Sequence, residues 1–334
     1  MKNSQKMQTR RWMLAAACSL ACAVPAAHAQ GKDQVTWTNK PLRLVVGGPA
    51  GGTADILARL LAEGLYKKLG KVVIVEAKPG AAGALAINDM VQHGKDGSTF
   101  VIGQGGFVSE TPLAYKVGYH PFKDLKPLAQ LSRTALVLVA NKDFPVNNLP
   151  QLVDYGKAHP EGVMFASYAA GMRAHTSGML LGQLMGITMK HVGYKGSPPA
   201  LTDLMGGHVP LAMDGVLTSL PLIKAGKIKP LAVMYPTRIT ELPDVPTFKE
   251  LGYPQLAEPG WMGVWANPEA PAEAQKVIRE TSLQYFAQPD IQKKVREIGM
   301  EPAGAATPEE LVAGLREESK RQAGLLKSIH YEQQ

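Results

Sequence analysis

The stretch Leu42-Arg43-Leu44-Val45-Val46-Gly47-Gly48-Pro49-Ala50-Gly51-Gly52-Thr53-Ala54-Asp55-Ile56-Leu57 reads as a strand, a glycine-rich turn and the opening of a helix. Residues 42–46 form a short apolar run of strand length. Residues 54–69 place Ile56, Leu57, Leu60, Leu61, Leu65 and Leu69 at helical spacing, and Gly70 is a natural stop. Working outward, strand-like runs at 72–75, 99–102, 135–140, 163–166, 209–213 and 229–234 alternate with helical patterns. These helices are expected at 85–92, 176–185, 199–205, 217–225, 272–286, 291–298 and 308–329. Strand–helix alternation predicts an α/β architecture of parallel sheets covered by helices.

The N-terminus reads as a secretory signal. Lys2, Lys6, Arg10 and Arg11 form a basic segment, residues 12–24 are apolar, and Ala27-His28-Ala29 is an A-x-A cleavage site. The Sec route is favoured over the twin-arginine route, because paired arginines are common in ordinary signals. Both cysteines, Cys18 and Cys22, fall inside this segment, so the mature chain carries no thiol, no disulfide and no cysteine metal site. Cleavage removes four basic residues and no acidic one, lowering the net charge from +8 to +4. That excess helps attract anions but is too scattered for nucleic acid.

Three constellations could hold a ligand. The turn at 47–55 suits a carboxylate or phosphate, because glycines admit close approach and a helix N-terminus adds free N–H donors. It is neither a Walker loop nor a G-x-G-x-x-G fingerprint, and a tight strand–helix turn stabilised by Asp55 is the plain alternative. Lys78-Pro79-Gly80-Ala81-Ala82-Gly83 is a second turn. Ser167-Tyr168-Ala169-Ala170-Gly171-Met172-Arg173-Ala174-His175 follows a strand and opens a helix. Arg173 there offers a fork of donors to a carboxylate, or is an ordinary exposed arginine. Asp214 follows a strand, where α/β sites gather; a helix cap is the alternative. Trp261 and Trp265 read as core. The eight histidines show no metal-ligand spacing, and neither G-x-S-x-G nor H-E-x-x-H occurs. No catalytic residue, metal or cofactor is expected.

Taken in order, several stretches resemble the Bug-type solute receptors of tripartite tricarboxylate transporters. Pro49-Ala50-Gly51-Gly52-Thr53-Ala54-Asp55 is similar to that family's P-A-G-G-x-x-D turn. Val75-Glu76-Ala77-Lys78-Pro79-Gly80-Ala81-Ala82-Gly83 resembles V-E-N-R-P-G-A-G-G. Asp96-Gly97-Ser98-Thr99, Tyr194-Lys195-Gly196, Asp203-Leu204-Met205-Gly206-Gly207, Ile223-Lys224-Ala225-Gly226-Lys227 and Leu242-Pro243-Asp244-Val245-Pro246-Thr247 continue the match.

The resemblance implies a type II periplasmic binding protein fold: two α/β lobes, a ligand cleft and two crossover strands. Expected boundaries are a signal at 1–29, lobe 1 at 30–131 plus 253–334, and lobe 2 at 132–252. It implies ligand-binding roles for Ala50, Gly51, Gly52 and Asp55 in one loop and for Ser167, Gly171, Met172, Arg173 and His175 in the facing loop. Asp214 and Gly215 belong to a third. The implied function is periplasmic capture of a small organic carboxylate for a membrane transporter, by a monomer with no nucleic-acid partner. A sensory binding protein feeding a signalling receptor is the alternative, and a periplasmic enzyme a weaker one.

Three departures bear on the ligand. Gly47-Gly48 stand where the family has Pro-Phe, which predicts a wider cleft or a looser loop. Ala169 replaces a glycine, and Met172 replaces a hydroxyl residue. Together they predict a bulky or aromatic mono- or dicarboxylate, with Arg173 pairing one carboxylate.

Overall fold

A computed structural model of the chain describes residues 37–334. The signal segment and its two cysteines lie outside the described residues.

The opening unit is as expected: β1 (Leu42–Val46), the glycine turn, and helix α1 (Thr53–Leu69), closed by Gly70 in the left-handed conformation with its N–H donating to Tyr66 O. Leu57, Leu61 and Leu65 recur every fourth residue and are fully buried against Leu42 and Leu44. Next come β2 (Val73–Ala77), α2 (Ala84–His93), β3 (Thr99–Gln104), two single-turn helices α3 (Gly106–Ser109) and α4 (Thr111–Ala114), and β4 (Lys126–Thr134). A second set follows: β5 (Leu136–Asn141), α5 (Leu149–Ala158), β6 (Val163–Ser167), α6 (Arg173–Met185), β7 (Met189–Gly193), α7 (Ser197–Met205), β8 (Leu211–Gly215), α8 (Val216–Lys224) and β9 (Ile228–Met234). The chain ends with β10 (Gly260–Ala266), α9 (Ala272–Phe286), α10 (Pro289–Glu297), β11 (Glu301–Pro302) and α11 (Pro308–Ser328), the last opened by a Thr307–Glu310 capping box.

Two sheets result, ordered β11-β4-β10-β3-β1-β2 and β7-β6-β8-β5-β9. The expectation of parallel sheets needs correction, because both are mixed. β1, β2 and β3 run parallel, as do β6, β7 and β8. However, β10 is antiparallel to β3 and β4, and β5 is antiparallel to β8 and β9. The antiparallel members carry the chain between sheets. Only Ala135 separates β4 from β5, so Thr134 pairs with Gly260 in one sheet while Leu136 pairs with Gly215 and Met234 in the other. The second passage returns through residues 254–260 into β10.

The sequence pattern missed β4, β7 and β10. In β4 and β10 apolar residues mix with Gly, Ser, Gln and Trp, so no clean period shows. Trp265 is fully buried in β10, its Nε1 donating to Gly103 O at 3.2 Å. Asp214 and Gly215 belong to β8 itself, whereas the sequence placed Asp214 just after the strand. Among the described residues no helix is long and apolar enough to cross a membrane.

Candidate functional site

In open α/β sheets, ligands gather beyond the carboxyl ends of parallel strands. Here those ends are the turn at 47–52, the turn at 78–83 and Gly105–Phe107 in the first sheet. In the second they are 167–172, 193–197 and 214–216.

The first turn is shaped by Asp55. Its buried carboxylate accepts from the Gly51 N–H at 3.0 Å and from Arg59 at 2.8 and 3.1 Å. The hydrogen bond from Arg59, more than the Gly51 amide, holds its pKa below the usual carboxylate range. Gly51 sits at φ +77°, a conformation open to glycine. No side-chain hydrogen bond caps α1, and the Gly52 N–H donates back to Pro49 O at 3.1 Å. Ala50 is exposed and Gly52 half-buried beside this end. The space around Gly48 is open to 4 Å.

The ring expected to be missing at 47–48 has a partial substitute. A Cβ on Gly47 would lie 2.9 Å from Phe107 Cζ, one on Gly83 2.2 Å from Phe107 Cε1, and one on Gly103 2.0 Å from Cε2. Three glycines from three strand ends therefore cradle the Phe107 ring, which is buried. The loop is held firm at Gly47, and of the pair 47–48 room remains at Gly48.

A chain of contacts joins the turn at 78–83 and the segment after β3 to the second sheet. Thr111 Oγ1 donates to Ala82 O at 3.3 Å and lies 4.0 Å from Met172 Sδ. Tyr115 donates to Ala170 O at 2.9 Å and Gln322 to Gly171 O at 2.9 Å. Met172 is buried in this contact; it tethers the two sheets where a ligand-facing thioether was expected.

The second loop is internally committed. The Gly171 N–H donates to His175 Nδ1 at 3.0 Å, which makes His175 the neutral Nε2–H tautomer. His175 stacks on His191 at 3.7 Å, and Ser167 Oγ lies 2.6 Å from His191 Nε2. Burial pulls His175 down to about 4. Burial and then the neighbouring His175 pull His191 down to about 3.

Helix α6 begins at Arg173, a turn earlier than the pattern suggested. Its N-cap, Met172, has no capping side chain; the cap comes from Glu110, whose Oε2 accepts the Arg173 N–H at 2.8 Å. The Arg173 guanidinium was expected to meet a ligand carboxylate. It meets Glu318 at 3.5 Å and Glu258 O at 3.0 Å instead, beside Gly260 at the crossing. A ligand would have to displace Glu318 to use it. Glu110 is 5% exposed, and its pKa is raised to about 7 by burial and then by Glu318, with Arg173 opposing. Nothing in the sequence flagged Glu110, Thr111, Phe107 or His191. They become visible only when the fold brings residues from distant segments together.

Asp214 is 1% exposed and accepts from Ser197, from Thr218 at 2.6 Å and from Ser219 at 3.1 Å. Burial pushes its pKa up against those hydroxyls. It ties together the 193–197 loop and the start of α8, and Gly215 beside it pairs with Leu136 at the crossing. Two surface depressions open elsewhere. One, of about 540 Å³, is lined by Tyr115, Lys116, His120 and Gln333, and the other, of about 460 Å³, by Arg43, Ile74, His93 and Lys95. None of the expected ligand residues lines either. Among the described residues no cluster of His, Cys, Asp or Glu is placed to hold a metal ion.

Two mixed sheets joined by crossing strands, with glycine turns at the parallel strand ends, define a periplasmic solute-binding protein. A model of the tripartite tricarboxylate transporter family receptor matches residues 57–331, and the chain belongs to that family. It is 34% identical over 309 residues to a UPF0065 protein of Bordetella bronchiseptica, covering 92% of this chain and 90% of that one. It is also 33% identical over 237 residues to BugT of Bordetella pertussis, covering 69% and 72%. A Rhodopseudomonas palustris protein with adipate superposes with TM-score 0.82 at 31% identity, covering 89% of this chain and all of that one. MatC from the same organism, with bound malate, gives 0.75 at 27% identity, covering 86% and 98%.

Proposed function

We propose that this chain captures a small organic carboxylate in the periplasm and delivers it to a tripartite tricarboxylate-type membrane transporter, after export through a cleavable Sec signal at residues 1–29. The observation that carries this reading is the uncapped start of α1 beside the Asp55-braced glycine turn, at the carboxyl end of a parallel strand. The relatives with adipate and malate support an acidic ligand. Amides fixed by the fold bind an anion with little ordering cost. The expected division at 131/132 and 252/253 falls inside β4 and before residues 253–256, which pack with the second sheet, so in this reading the lobes divide at Ala135 and just before β10. Their closure over the ligand would present a new surface to the transporter. In this reading Ala50, Gly51 and Gly52 contact the ligand, while Asp55, Asp214 and His175 hold loops in shape.

The test is isothermal titration of the mature chain against a panel of organic acids. Binding of at least one acid, weakened about tenfold or more by Asp55→Ala, is the expected result. A folded protein that binds none of them refutes the reading. Gly48→Phe, which enters open space, is expected to fold normally and to weaken bulky acids more than small ones; equal loss for all sizes would show that Gly48 does not face the ligand.

One contact favours a second reading. The Ser167–His191 pair at 2.6 Å has the spacing of a nucleophile and its base. Ser167 is nevertheless buried and also bonded to Ala169 O, and a histidine pulled down to about 3 is a weak base at neutral pH. The receptor reading is therefore the stronger.

A further inference from the structure

We infer that Tyr331 is a positioning residue of this receptor: from the segment that follows α11 it packs on Gly171 and holds the loop at 167–173 in its binding shape. This rests on the carboxylate reading above.

The end of α11 aims the segment. The Tyr331 N–H donates to Leu326 O at 3.0 Å and the His330 N–H to Lys327 O at 3.2 Å, the paired bonds of a Schellman ending. Glycine is the usual residue at the left-handed position of that motif. Here it is His330, at φ +51°, where a side chain is disfavoured. A turn kept against its local preference has to be held by contacts beyond it. Those contacts are in place. The Gln334 N–H donates to Ala114 O at 2.9 Å, and Gln334 O accepts from the Lys116 N–H at 2.7 Å. Gln333 Nε2 donates to Pro112 O at 2.8 Å and to Tyr115 O at 3.2 Å.

So tethered, the Tyr331 ring meets the loop. A Cβ on Gly171 would lie 2.7 Å from Tyr331 Cζ and 2.5 Å from Ala114 Cβ, so the Gly171 α-carbon is wedged between the tethered segment and α4. The same ring meets His175 edge-on at 5.8 Å, and His175 accepts the Gly171 N–H. Gln322 holds the Gly171 carbonyl. Gly171, at φ +73°, is thus fixed at its amide, its carbonyl and its α-carbon. A glycine released from such contacts samples both signs of φ. A loop that wanders must be ordered again on binding, at a cost in affinity. The contact belongs to the ring and not to the hydroxyl, because Tyr331 Oη is buried with no hydrogen-bond partner among the described residues.

The experiment compares the parent with Tyr331→Ala and Tyr331→Phe by calorimetric titration with adipate, malate and benzoate, and by hydrogen exchange of the ligand-free proteins. Tyr331→Ala is expected to weaken the tightest of these acids about tenfold. Exchange at 167–175 should quicken several-fold while that at 42–57 stays as in the parent. Tyr331→Phe keeps the ring and is expected to restore both. Ile291→Ala, in the core of the first sheet, controls for lost stability: it should lower the unfolding midpoint and leave affinity and the 167–175 exchange unchanged. A merely structural Tyr331 would behave like it. Should Tyr331→Ala fail to fold, Gln333→Ala frees the exposed segment and is expected to act in the same direction, about threefold in affinity. Exchange at 167–175 or affinity that stays at the parent value in the variant tested overturns the inference, as does a Tyr331→Phe variant as impaired as Tyr331→Ala. If the folded parent binds none of the three acids, the carboxylate reading fails for them, and the exchange result alone decides the role of Tyr331.

Discussion

Gly103→Val is expected to destabilise the folded chain by about 3 kcal/mol or more, because a side chain there enters the Phe107 ring. The nearest ring carbon would lie 2.0 Å from the new Cβ, and Gly47 and Gly83 close the other sides of the same cradle. The ring has no free direction in which to retreat. Phe107→Ala leaves the cradle empty and is expected to cost about 3–5 kcal/mol through lost burial and a residual cavity. Combining the two lets valine fill part of the hole. The double variant should therefore be less destabilised than the sum of the singles, by about 1–3 kcal/mol. Urea unfolding of the four proteins gives the coupling directly; strict additivity would mean that the ring and Gly103 do not share this space. Because Gly47 and Gly83 bound the binding turns, ligand affinity should fall in both single variants.

The second large effect concerns Glu110 and pH. An unfolded glutamate titrates near 4.5, whereas in the fold burial and the charge of Glu318 raise Glu110 to about 7. Arg173, Glu318 and Tyr168 are the ionisable groups that face it. Below about pH 4.5 both states hold the proton and the group exerts no penalty. As pH rises towards 7 the unfolded chain releases its proton first, so stability declines, and above 7 the full penalty of up to about 3 kcal/mol is present. Glu110→Gln removes this titration. Its stability gain over the parent should be largest near pH 8 and vanish near pH 4. The two histidines titrate equally in both proteins and cancel in the difference. A gain independent of pH, or a loss at pH 8, would show that Glu110 is not strained by its charge.

Local patterns in the chain were enough to read the first strand, turn and helix, because the fourfold leucine spacing and Gly70 describe α1 without outside help. The late start expected for α6 has a physical cause. The residue that caps it, Glu110, is 63 positions from Arg173, and no local motif encodes such a cap. The same holds for β4 and β10: central strands of a mixed sheet are defined by neighbours on both sides, and Gly, Ser and Trp within them obscure any period.

By itself, then, the amino-acid sequence determined the strand–helix order, the glycine turns and the family, since these rest on spacing and motif along a continuous chain. The tertiary structure alone decided what each turn is free to do. It left the start of α1 uncapped, filled that of α6 with Glu110, turned Arg173 towards Glu318 and set Phe107 among three glycines. Charge and steric contact act through space over a few ångströms, and the residues that meet in these contacts are far apart in the chain.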